Sequence, residues 1–311
     1  MQLDDLPEEI LDLIVQYVNT YAYNLSMISP MFSRIAERYN VSLEKYTKGL
    51  FQSGDLRLIQ KHGMSSTFEN IHDAIANGHL PIVIWAHEKG LRLKSKLTYI
   101  AAEHGHLHIL KWLRENKCPW DEVTCAYAAL NGHLDLLIWA RENGCPWDRS
   151  TCSNAALNGH METLKWAREN GCPWDEWTCA VAASKGRFSM LKWARENGCP
   201  WDDKTCTACA SNGYLEILKW ARENGCPWNK KTCNGAALNN HLEILKWARE
   251  NGCPLGKTAC AYAASNNNLD VLIWLRENGC PWDERTYTYA LLNKHLNLVA
   301  WLEEKGCPRS L

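Results

Sequence analysis

Cysteine and histidine are the side chains here whose types could do chemistry, and both recur at a fixed interval. The chain has fifteen cysteines. Eight of them, from Cys118 to Cys307, stand 27 residues apart, and six more, from Cys125 to Cys260, form a second column with the same spacing. Only Cys209 is outside the columns, and it makes a lone CxxC with Cys206. A structural zinc site needs four ligands, and no second cysteine pair stands at zinc spacing. A cysteine nucleophile needs a histidine and an orienting group particular to one place. Here His79, His106, His133, His160, His241 and His295 occupy one repeated position, so every copy is equivalent. Cysteine in register behaves as a small buried apolar residue. We therefore expect no catalytic residue, no cofactor and no metal.

The elements behind these columns are set by tryptophan. Trp85, Trp112, Trp139, Trp166, Trp193, Trp220, Trp247, Trp274 and Trp301 are each 27 residues apart. A fixed period in this range means a stack of small units that cannot bury a core alone. One unit, TCAYAALNGHLDLLIWARENGCPWD at 124–148, divides readily. Thr124 is placed to cap a short helix from about Cys125 to Leu130, rich in the best helix former, alanine. Asn131-Gly132 ends it, glycine taking the left-handed conformation at low cost. A second helix is expected from about His133 to Asn143, ended by Gly144, with Pro146 preventing its continuation. Arg141 and Glu142 recur as neighbouring columns, and we expect each arginine to meet a glutamate of its own or the adjacent layer.

The unit is similar to the ankyrin repeat. Aligned on Gly132 and Gly144, Ala128 and Ala129 fall on the ankyrin alanines. Cys125 and Tyr127 fall on its first-helix apolar positions, Trp139 on a second-helix leucine and Trp147 on the valine after the second glycine. The resemblance runs from about residue 67 to 307. Ankyrin units have 33 residues and these have 27, the shortfall lying between Gly144 and Thr151. The resemblance implies an all-α fold: an α-solenoid of helix-turn-helix units with blunt loops where ankyrin carries β-hairpin fingers.

Residues 1–45 lie outside the repeat. Pro7 suits a first helical position, and Glu8 and Glu9 suit the first turn of a helix, where the dipole favours acids. Leu6, Ile10, Leu13, Ile14, Tyr17 and Val18 make one apolar face, and Pro30 breaks the following stretch into two short helices. The segment resembles an F-box in Leu6, Pro7, Glu8, Ile10, Leu11, Ile14, Leu25, Ser26, Phe32, Ile35 and Ala36. That resemblance implies an adaptor-docking face of Leu6, Pro7, Ile10, Leu11, Ile14 and Phe32 for a Skp-type adaptor of a cullin–RING ubiquitin ligase. The other reading of the segment is a helical cap for the solenoid. Residues 46–80 read as a degenerate lead-in, and 81–311 as the regular solenoid. Proteins that join such a start to short Cys-Pro-Trp units resemble those abundant in giant DNA viruses of amoebae.

Composition narrows the partners. Lys plus Arg number 34 and Asp plus Glu 35, a net charge of −1, which makes no electrostatic case for nucleic acid or an anionic membrane. There is no apolar run long enough to span a bilayer. The acidic start MQLDDLPEEI is wrong for a secretory signal, so free thiols in the cytosol or nucleus are expected (the host cytoplasm for a viral protein).

Columns that repeat are packing, and columns that scatter are free to specialise. Two scattering columns run through the loop and the start of the first helix. They contain Glu122, Val123, Arg149, Ser150, Glu176, Trp177, Asp203, Lys204, Lys230, Lys231, Lys257 and Arg285. By the ankyrin resemblance this is the concave, partner-binding face. Trp177 is the one tryptophan outside the two tryptophan columns, and large aromatics dominate interface hot spots, so it is the expected anchor. The reading is a non-enzymatic protein-interaction chain, a monomer on its own. It would be either a substrate receptor for the ligase or a scaffold or virion-associated binding protein with no ubiquitin link.

Overall fold

The computed structural model describes residues 43–64 and 67–309. The expected adaptor-docking residues Leu6, Pro7, Ile10, Leu11, Ile14 and Phe32 lie outside that range. The described residues form twenty helices and no strand. No helix among them is long and apolar enough to cross a membrane. The chain divides into two compact units, one ending at Trp147 and one running from Asp148 onward.

In the first unit the helices pair as Leu43–Ser53 with Leu56–Lys61, Phe68–Ala76 with Leu80–Glu88, Ser95–Glu103 with Leu107–Glu115, and Glu122–Leu130 with Leu134–Glu142. The first described helix thus crosses residue 45. In the second unit six pairs follow. Their first helices are Arg149–Asn158, Glu176–Ser184, Asp203–Ser211, Lys230–Leu238, Thr258–Ser265 and Glu284–Leu292. The second helices are Met161–Glu169, Phe188–Glu196, Leu215–Glu223, Leu242–Glu250, Leu269–Glu277 and Leu296–Glu304.

Within each unit, consecutive first helices pack closely on one another, while consecutive second helices are spaced more widely. The cause is side-chain size. First helices bury alanine, threonine and cysteine, such as Thr178, Cys179, Ala182 and Ala183. Second helices bury larger residues such as Met190 and Leu191. Small facing residues let backbones approach, so the first-helix side is the crowded, inner side of each stack. The column tryptophans lie at the margin of this core: Trp85 is buried, and those from Trp112 to Trp301 are partly exposed.

Capping departs from the sequence expectation. The first helix of the unit begins at Glu122, and its cap is Asp121, whose carboxylate accepts from the Val123 amide at 3.2 Å. Asp148, Asp175, Asp202, Asn229 and Asp283 cap their helices in the same way. Thr124 is instead buried inside the first turn, its hydroxyl 3.0 Å from that of Thr98. Both residue types can cap. The short Cys-Pro-Trp-Asp connector decides, because it brings the aspartate to the position where the chain turns into the helix.

The repeated glycine before each second helix is held for two reasons. Gly105 has φ +74°, and a Cβ placed on it would lie 2.6 Å from Cε1 of His133 in the next pair. His133 Nε2 is 3.2 Å from the Glu103 carbonyl, and His106 and His295 make the same bond back to Ala76 and Ser265 at 2.9 and 3.0 Å. The histidine column therefore ties one layer to the last. Asn268 takes over where histidine is absent, its amide 2.9 Å from the Ala237 carbonyl.

Candidate protein-binding face

The columns that first looked chemical are fully occupied by the fold. All fifteen cysteines are buried free thiols. The Cys172 thiol donates to the carbonyl of Asp148 at 3.3 Å, and Cys199, Cys226 and Cys253 do the same to Asp175, Asp202 and Asn229 at 3.4 Å. Each thiol thereby fixes the residue that caps the first helix of its own repeat. Burial pushes the Cys118 and Cys209 thiols up to about 12. The Cys152 and Cys206 thiols are raised as well, by hydrogen bonds to Cys172 and Cys226 and then by burial. A nucleophile or a metal ligand must be a thiolate; the raised thiols hold their protons, while Cys172, Cys253 and Cys280 are lowered, first by hydrogen bonds with Cys152, Cys233 and Cys260, and all three are fully buried. Cys206 and Cys209 of the CxxC are both fully buried. No cluster of three or more metal-ligating side chains occurs among the described residues.

The arginine column also departs from expectation. No arginine of this column pairs with a glutamate among the described residues. Arg and Glu adjacent in sequence point away from each other on a helix. Every arginine of the column but Arg249 instead crosses the connector. Arg195 donates to the Cys199 carbonyl, and its guanidinium lies 4.2 Å from the ring of Trp201. Trp201 in turn meets Trp220 of the next pair edge-on, with centroids 5.7 Å apart. Arg168 on Trp174 and Arg222 on Trp228 repeat the stack at 4.0 and 4.3 Å. The ladder breaks where Leu255 replaces the tryptophan: Arg249 there is exposed, while the stacked arginines are not.

That leaves the scattering columns. In the first unit, Glu122 is exposed and Val123 partly so, at the start of their helix. In the second unit the predicted residues lie on consecutive first helices at their N-terminal ends. Most are joined in ion pairs between layers: Arg149 to Asp175 at 3.1 Å, Lys204 to Glu176 at 3.6 Å, Lys231 to Asp203 at 3.9 Å and Lys257 to Asp283 at 3.5 Å. Lys204 also meets its own cap Asp202 at 3.0 Å, and Arg285 meets Asp283 at 2.6 Å. The Arg285 contact holds the Asp283 carboxyl below the usual carboxylate range. Ser150 is spent on the Asp148 cap. Trp177 is 52% exposed. Exposed Leu291, Leu292 and Leu296 on the last pair were missed in the sequence; the only signal was Leu291 interrupting a column of alanines.

Residues 98–141 match the family model for ankyrin repeats in many copies, and residues 206–286 the model for ankyrin repeats in three copies. Within those two stretches the helix pairs match ankyrin repeats. Ankyrin repeats are protein–protein interaction modules, typically binding scaffolds without catalysis. The crystal structure of the human ASB11 ankyrin repeat domain is similar at 20% identity and a TM-score of 0.42, the match covering 50% of this chain and 83% of that chain. No curated protein shows significant similarity.

Proposed function

We propose that this chain is a target-holding receptor. The inner, first-helix face of its ankyrin repeats binds a protein, and the F-box-like segment 1–45 presents that protein to a cullin–RING ubiquitin ligase through a Skp-type adaptor. The observation that carries the binding face is Trp177, a large aromatic left 52% exposed at the start of a first helix. The connector tryptophans Trp120, Trp147, Trp174, Trp201, Trp228 and Trp282 are committed to the Arg–Trp ladder. A tryptophan on a rigid helix loses little entropy on docking, and such residues supply most interface energy. The docking half rests on the motif Leu6, Pro7, Ile10, Leu11, Ile14 and Phe32. No catalysis is needed in this chain, since tethering a target raises its effective concentration near the ligase. The reading places the protein in the cytoplasm or nucleus of a eukaryotic cell, the amoebal host if the viral resemblance holds.

The test is a pull-down from a eukaryotic lysate with wild type against Leu6→Ala/Pro7→Ala. Recovery of adaptor and cullin by wild type alone supports the receptor. If wild type recovers neither, the ligase link is wrong, and the chain is a scaffold.

A further inference from the structure

In the second unit, the first helices follow one electrostatic rule with two exceptions. Glu176–Ser184, Asp203–Ser211 and Glu284–Leu292 have both an aspartate cap and an acid in the first turn, and Arg149–Asn158 has the aspartate cap. Negative charge there complements the partial positive charge of the helix N-terminus. The adjacent helices Lys230–Leu238 and Thr258–Ser265 have neither. Their caps are Asn229 and Lys257, and Lys257 makes no capping hydrogen bond. Lys230 and Lys231 occupy the first turn of one helix, and Lys257 the start of the next. Positive charge is thus placed on two neighbouring positive helix ends, where it opposes folding.

These lysines have no full use within the chain. Asp283 is already held by Arg285, whose Nε and Nη2 donate at 3.1 and 2.6 Å, so Lys257 at 3.5 Å is a second cation on one carboxylate. Asp203 accepts from the Asn229 amide at 2.8 Å, with Lys231 no nearer than 3.9 Å. Lys230 is exposed and makes no ion pair among the described residues. The side chains of Lys231 and Lys257 are 66% and 61% exposed.

We propose that Lys230, Lys231 and Lys257 bind the carboxylates of an acidic, extended segment of the protein target whose apolar residue sits on Trp177. This deepens the binding-face reading and rests on it. Helix N-termini receive anions through their free amides, so a partner's carboxylates supply the charge that these two helices lack. The geometry sets a spacing. The helices bearing Trp177, Lys204 and Lys230 are successive neighbours. Two interhelical steps of about 8–10 Å make about 16–20 Å. An extended chain covers that in about five or six residues. The target segment therefore carries an apolar residue with acidic residues beginning about five or six positions away.

A random 16-residue peptide display library selected on the full chain tests this. The enriched peptides are then titrated by fluorescence anisotropy against wild type, Trp177→Ala and Lys230→Glu/Lys231→Glu/Lys257→Glu. Expected are acidic peptides with that spacing, whose affinity falls more than tenfold in both variants and weakens with salt. Charge reversal sets glutamates against Asp203 and Asp283, so Lys230→Gln/Lys231→Gln/Lys257→Gln is titrated beside it and should lose affinity too, and both variants are assayed below their melting transitions, so that a loss of affinity is not a loss of fold. Peptides that need Trp177 but bind the lysine variant equally overturn this inference and leave the binding face standing. Peptides indifferent to both variants overturn both readings. A 24-nucleotide DNA duplex or inorganic polyphosphate binding as tightly as the peptides replaces an acidic-protein site with a general polyanion site, and also overturns it.

Discussion

Replacing Trp201 with leucine copies what the chain itself does at Leu255, and the structure fixes what should be lost. The Arg195 guanidinium lies 4.2 Å from the Trp201 ring, a partly screened cation–π contact of about 0.5–2 kcal/mol. The edge-on contact with Trp220 at 5.7 Å contributes about 0.5–1.5 kcal/mol beyond its buried area. Leucine keeps part of the apolar burial, so Trp201→Leu should cost about 1–3.5 kcal/mol from these two contacts. The coupling is more telling than the sum. Arg195→Ala should be costly in wild type and nearly free in the Trp201→Leu background. Arg249→Ala should cost less than about 0.5 kcal/mol, as expected of a surface substitution, because Leu255 leaves that arginine exposed. Urea unfolding followed by circular dichroism measures all four variants as a double-mutant cycle with its internal control. If Arg195 and Arg249 respond equally, or the coupling is zero, the ladder contributes nothing and the stacking argument is refuted.

Gly105→Ala combines a left-handed φ of +74° with a Cβ 2.6 Å from His133, so it should destabilise by at least about 1–2 kcal/mol on urea unfolding. Lys117, at φ +61° where other repeats have glycine, is the reverse case, and Lys117→Gly should stabilise by up to about 1 kcal/mol. An aromatic disulfide reagent should label none of the fifteen buried thiols rapidly in the native chain and all of them in denaturant; fast native labelling would contradict the buried columns. His106 has its pKa lowered, first by burial and also by the neighbouring His108, His104 and His133. A base with a depressed folded pKa contributes stability that is present above its ordinary value near 6.5 and is lost as pH falls below it. The melting temperature of wild type should thus fall more between pH 7 and pH 5 than that of His106→Asn, in which an amide can make the bond that Asn268 makes.

What the sequence conveyed was whatever repeats. The 27-residue period, the helix pairs, the glycine ends and the buried cysteines follow from residue type and spacing, because a local rule applied in every layer leaves a column. What was hidden lies in the connector. Thr124 and Asp121 are both competent caps, and only the path of Cys-Pro-Trp-Asp selects the aspartate. Arg141 and Glu142 look like partners on paper, yet on a helix they diverge, and the arginine instead reaches Trp147 at 4.0 Å. The role of Cys145, which donates to the Asp121 carbonyl at 3.5 Å, has no signature beyond its column. On the binding face, Trp177 stood out as the one tryptophan outside the two tryptophan columns. The special position of Lys230, Lys231 and Lys257 needed the ion pairs, since a formal count of charges makes them look balanced by Asp203 and Asp283.

In the proposed complex a target lies along the N-terminal ends of the first helices and touches Trp177. Hydrogen–deuterium exchange of the full chain, with and without its tightest library-selected peptide, measures this directly. Exchange should slow at the starts of Glu176–Ser184, Asp203–Ser211 and Lys230–Leu238, with the second helices Phe188–Glu196 and Leu215–Glu223 unchanged. Protection confined to those second helices and the Arg–Trp ladder would contradict it.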